Sequence, residues 1–152
     1  MAATAWQLYN KAKQYIGNGT ITLGAGVFKM LLATSASNAS TFTLTAYSQI
    51  TNEISATGGY VTGGKDLVPA TALWTVGASA KQYKFTMSTV GLAFTASGAS
   101  LTNIKYAILR NSTGATAGRL LCFCRLSSSQ FTVTSPNTLT VLPAATGIFT
   151  LT

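Results

Sequence analysis

Hydrophobic positions along this chain change period once, at Gly17. Before it, Leu8, Tyr9, Ala12, Tyr15 and Ile16 recur at helical spacing, with Asn10, Lys11, Lys13 and Gln14 polar between them. Thr4 and Gln7 stand three apart ahead of that run. This is the spacing of a capping box, in which an N-cap hydroxyl and an N3 amide each satisfy a free backbone N–H. Gly17 supplies a left-handed stop. The pattern predicts one helix over 5–16.

After Gly17 the period is two. Runs rich in Thr, Val, Ile, Phe and Tyr predict strands over 20–23, 27–34, 83–87, 92–95, 104–110, 119–126, 131–134, 138–142 and 148–151. Within 104–110, Ile104, Tyr106 and Ile108 share one face and Lys105, Ala107 and Leu109 the other. Gly, Pro, Asn and Ser clusters break the runs at regular intervals. Between residues 35 and 54 the pattern is less regular, with a helical turn expected within 46–51. Many short strands separated by turns indicate an all-β chain: an antiparallel β-sandwich of jelly-roll type with one short N-terminal helix. No linker and no internal repeat divides it, so 1–152 reads as a single domain.

Composition sharpens this picture by what it withholds. The 152 residues include no histidine and two acidic side chains, Glu53 and Asp66, against ten Lys and Arg, for a net charge of +8. Hydrophobic residues make up 47%, enough for a core, while charged residues are 8%, far below the usual ~25%. Most catalytic and metal-binding chemistry needs His, Asp or Glu in groups. The two carboxylates are 13 positions apart in sequence with glycine turns between them. Glu53 is expected to accept loop hydrogen bonds, and Asp66 to pair with Lys65 or a turn amide. The chain therefore reads as a binding protein without enzymatic activity, cofactor or metal. No apolar stretch approaches the ~18 residues of a membrane span. At the N-terminus Lys11 and Lys13 follow the apolar residues, unlike a signal peptide, which predicts synthesis in the cytoplasm.

Three features carry a structural reading. Cys122 and Cys124, two apart on a predicted strand, place their Cα atoms ~6.5–7 Å apart, marginal for a disulfide. They read as two small buried thiols. The glycines of 58–64 lack a phosphate-loop ending and a following helix, and read as φ > 0 positions around a short strand containing Tyr60. Sequons at Asn18, Asn38 and Asn111 are about as frequent as chance gives in so Ser- and Thr-rich a chain. The basic residues are scattered, with 81–85 the nearest approach to an interleaved basic–aromatic patch, so direct nucleic-acid binding is not the expectation.

The segments Ile50 to Ile54, Gly58 to Leu67, Trp74, Lys105 to Arg110 and Ala145 to Thr152 form a pattern that resembles small tailed-phage virion proteins. The opening Tyr9 to Lys13 and Ile16 to Thr20 is similar to the subgroup of capsid cementing (decoration) proteins of short-tailed phages. The resemblance covers most of the chain. It implies a jelly-roll sandwich on the outer capsid surface of the virion, made in the host cytoplasm and bridging neighbouring capsomers. Its partners would be the major capsid protein and itself, as a homodimer or homotrimer. For such a role Trp6 with Lys11 and Lys13 offers an aromatic anchor beside a positive rim. The alternative for Trp6 is closure of the sandwich's own core. Arg110, Arg119 and Arg125 are further candidates for acidic capsid contacts. Two other roles compete. One is a low-copy tail or connector component. The other is a carbohydrate-binding sandwich with Trp74, Tyr60 and Tyr83 as exposed stacking platforms.

Overall fold

The strand read most plainly from alternation becomes the centre of the fold. In the computed structural model, which describes residues 3–67, 74–77, 79, 81–87 and 90–151, that strand is β7, Leu101–Asn111. It pairs antiparallel with β2, Phe28–Thr34, on one side and β8, Leu120–Arg125, on the other. Outside them lie β1, Gln7–Leu8, against β8, and β3, Lys65–Asp66, against β2. The spatial order is β1-β8-β7-β2-β3, with β9, Phe131–Val133, paired to the start of β7. Two smaller antiparallel sheets complete the described strands. One joins β6, Leu92–Thr95, to β10, Thr138–Val141. The other runs β11-β5-β4, from Phe149–Leu151, Tyr83–Phe85 and Trp74–Val76. The chain is thus all-β and antiparallel with one short helix, α1, Asn10–Gly17.

Register assigns the two faces of the large sheet. Leu31, Ile108 and Phe123 lie opposite one another, as do Met30, Leu109 and Cys122. All six are buried, so both faces are covered. Phe123 meets the rings of Tyr9 at 5.1 Å and Phe42 at 5.4 Å. Phe28, on the opposite face, packs edge-on against Phe85 of β5 at 5.0 Å. The central strands therefore lie between the helix and loop on one side and the small β11-β5-β4 sheet on the other. This is why 120–124 is apolar without a break.

Four local expectations need correction. The helix begins at Asn10, not at residue 5, because residues 4–8 run extended along the edge of β8. Thr4 donates its N–H to the Arg125 carbonyl at 2.9 Å, and its hydroxyl accepts the Arg125 N–H at 3.0 Å. Pairing the open edge of a buried strand satisfies more backbone groups than one capping box. At the other end Gly17 is still helical, and the left-handed residue is Gly19, at φ +74°. Residues 20–23 form no strand, although Ile21 and Leu23 alternate inward; that alternation reports burial without a ladder partner. Tyr60 lies in no strand: the ladder starts at Lys65, after the glycines. The helical turn expected within 46–51 is present as a 3-10 turn at Tyr47–Gln49.

Candidate functional site

Both carboxylates are engaged, in different ways. Residues 52–54 run beside β2, with the Thr34 N–H on the Asn52 carbonyl and the Ile54 N–H on the Leu32 carbonyl. This aims Glu53 at the glycine loop. Its Oε1 accepts from the Tyr60 hydroxyl at 2.6 Å and the Gly63 N–H at 2.7 Å, and its Oε2 from the Tyr47 hydroxyl at 2.5 Å. The Tyr60 oxygen also accepts the Leu32 N–H at 3.1 Å. Arg110 closes the far side, donating Nε and Nη2 to the Gly63 carbonyl at 3.1 and 2.9 Å while its guanidinium lies 4.6 Å from the Tyr47 ring centre.

Glu53 therefore accepts loop hydrogen bonds, as its sequence context implied. Burial, then the bond to Glu53, pushes the Tyr47 phenol up to about 12. The same two causes raise Tyr60. Both phenols stay protonated donors, so the cluster locks a loop and holds no activated nucleophile. The loop needs glycine where it turns under β2. Gly64 has φ +85°, and a Cβ there would sit 2.2 Å from the Met30 carbonyl oxygen.

Asp66 pairs with Lys29, opposite it on the ladder, at 3.4 Å, and not with Lys65 as expected. Side chains directly across an antiparallel pair lie on the same face, whereas Lys65, its chain neighbour, points the other way. Lys65 instead donates to the Ala93 carbonyl at 2.9 Å.

The six proposed contact residues are placed as follows. Lys11 and Lys13 are exposed on α1. Arg119 donates Nη1 to the Tyr15 hydroxyl at 2.7 Å with its guanidinium 4.4 Å from that ring, and Lys11 approaches the same ring at 6.0 Å. Lys11 and Arg119 are thus brought together by Tyr15. Arg110 joins the array through the segment between them: Ala46 bridges Arg119, and the adjacent Tyr47 stacks under Arg110. Arg125 stands exposed at the end of β8, its backbone paired to Thr4. Trp6 is half-buried, packed on the core and lining a groove of about 300 Å³ with Leu126, Leu142 and Ile148. Sequence reading missed Tyr15 and Tyr47 as the holders of the arginines, because Tyr15 sits on the apolar face of the helix pattern and Tyr47 in an irregular stretch.

Cys122 and Cys124 are free and buried, as expected. Burial raises Cys122, and holds the Cys124 thiol up at about 12, which leaves both unreactive at neutral pH. Of the aromatics proposed as sugar platforms, Tyr60 is buried with its hydroxyl on Glu53, so it offers no exposed face. Trp74 stacks on Tyr83 at 5.5 Å. Among the described residues no group of three or more His, Cys, Asp or Glu side chains comes together. No family model, curated protein or solved structure matches the chain.

Proposed function

We propose that this chain is a structural virion protein that binds the outside of a phage capsid and bridges neighbouring major capsid protein subunits, stabilising the mature shell. The observation that carries the reading is a large excess of positive charge, ten Lys and Arg against two acidic side chains. Glu53 is held by its three donors, and Asp66, half exposed, makes one surface ion pair with Lys29. Lys11, Lys13, Lys81, Lys105 and Arg125 consequently have no carboxylate partner among the described residues. A field of this kind attracts and orients an acidic protein surface more than it tightens the final contact. The sequence's resemblance to tailed-phage virion proteins points the same way and implies jelly-roll wiring.

Such a protein acts by binding energy alone. A bridge that fits only the mature spacing of capsid subunits stabilises that state by linkage. Modest contacts become effective when repeated over a shell, and a cyclic homodimer or homotrimer would grip several subunits at once.

Quantitative mass spectrometry of purified virions tests this directly. Many copies in fixed ratio to the major capsid protein support a cementing lattice. A few copies per particle would move the protein to the tail or connector, and absence from the particle would end the virion reading. Binding to isolated shells should weaken as salt rises, since exposed charges are screened over ~8 Å at physiological ionic strength. Competition by DNA would redirect the positive field to nucleic acid.

A further inference from the structure

The small sheet β11-β5-β4 has a completely apolar face that the protein only half covers. Register places Trp74, Phe85 and Phe149 in one row across the three strands, and Val76, Tyr83 and Leu151 in the next. Alternation puts both rows on the same face, and the polar row Thr75, Lys84 and Thr150 on the other. The first row is covered: Phe85 is fully buried against Phe28 and Phe149, and Trp74 and Phe149 pack on the core. The second row overhangs it. Val76 is 59% exposed, Tyr83 48% and Leu151 40%. The hairpin that joins β4 to β5, closed by the Gly77 N–H on the Gln82 carbonyl at 2.8 Å, carries the exposed Lys81 beside this row.

We infer that the Val76–Tyr83–Leu151 row is a docking seat for an acidic–apolar segment of a foreign protein, one that places one or two large apolar side chains on the row and carboxylates against Lys81. This rests on the capsid-binding reading above and names the surface that makes the contact. Two observations select that occupant over a second copy of the chain. The first is size. At roughly 150–250 Å² for a large side chain, the three exposures leave on the order of 300 Å², against about 800 Å² per partner in a stable complex. The row alone is too small to hold two copies together but suffices to anchor one segment. The second is charge. A second copy brings a net charge of +8 toward the exposed Lys81, whereas an acidic segment brings the opposite sign.

The experiment compares the native chain with a variant carrying Val76→Thr, Tyr83→Thr and Leu151→Thr, and with Lys81→Glu. Co-sedimentation with mature shells stripped of this protein is the assay. Threonine keeps β propensity, and the thermal midpoint of each variant checks the fold. The expected result is that the native chain binds, the triple variant binds at least tenfold more weakly, and Lys81→Glu weakens binding severalfold at low salt only. If the native chain and the triple variant bind equally, the inference is overturned and the capsid reading stands. If the native chain fails to bind, the capsid reading falls and this inference with it. If the native chain self-associates in light scattering and the triple variant does not, a second copy occupies the row and the acidic partner is wrong.

Discussion

Replacing Glu53 by Gln measures how much of the fold hangs on one carboxylate. The substitution preserves shape and removes the charge. Glu53 accepts three hydrogen bonds, two from phenols and one from the Gly63 backbone. A bond to a charged group is worth about 1.5–3 kcal/mol and a neutral one about 0.5–1.5. Three bonds each losing about 1 kcal/mol give roughly 3 kcal/mol of destabilisation. The amide also presents an NH₂ where an acceptor stood, so one phenol must turn to accept from it. Partial solvent access works the other way. The expected loss is about 2–4 kcal/mol, read as a lower urea midpoint at unchanged slope. The thermal midpoint should fall by roughly 5–12 °C for a domain of this size. Tyr47→Phe and Tyr60→Phe, combined with Glu53→Gln in double-mutant cycles, should show strong coupling. A loss below about 0.5 kcal/mol with no coupling would refute the view that Glu53 locks the glycine loop under β2.

Gly64→Ala should cost at least about 2–3 kcal/mol, since it adds a left-handed penalty to a backbone clash at Met30; a near-neutral chemical denaturation curve would show that the turn can reshape. Alkaline titration tests the same cluster. Tyr47 titrates near 10 when unfolded and at about 12 when folded. The folded state therefore holds the proton longer, and the stability this contributes is complete below pH 10 and lost as pH rises toward 12. Denaturation midpoints measured from pH 8 to 12 should fall across that window and fall less in Tyr47→Phe; a slope unchanged by the substitution would exclude Tyr47 as the source.

The arrangement also constrains how the N-terminal segment can be probed. Tyr9 is fully buried, donates its hydroxyl to the Ala39 carbonyl at 2.7 Å and packs on Phe123. Removing residues 2–16 would take out a core side chain and the partner of the β8 edge. Charge reversal at the exposed Lys11 and Lys13 probes the surface without that loss.

Much of the architecture is present in the amino-acid pattern alone. Runs rich in β-branched and aromatic residues located β2 and β5 to β11, and alternation sorted β7 into two faces. The single helix followed from 3.6-residue spacing, and Glu53 as a loop acceptor followed from the want of any chemistry for it to join. These depend on local sequence, because period and burial are written residue by residue. What the tertiary structure alone decided has a common cause: backbone or side-chain groups whose partners are far away in sequence. Residues 4–8 are extended because β8 offers an open edge more than a hundred positions later. Asp66 chooses Lys29 because the ladder sets them face to face. Arg119 and Tyr15, Arg110 and Gly63, and the exposed row of Val76, Tyr83 and Leu151 exist only once strands have found their register. Period reports which side of a strand is apolar, and only packing decides how far that side is covered.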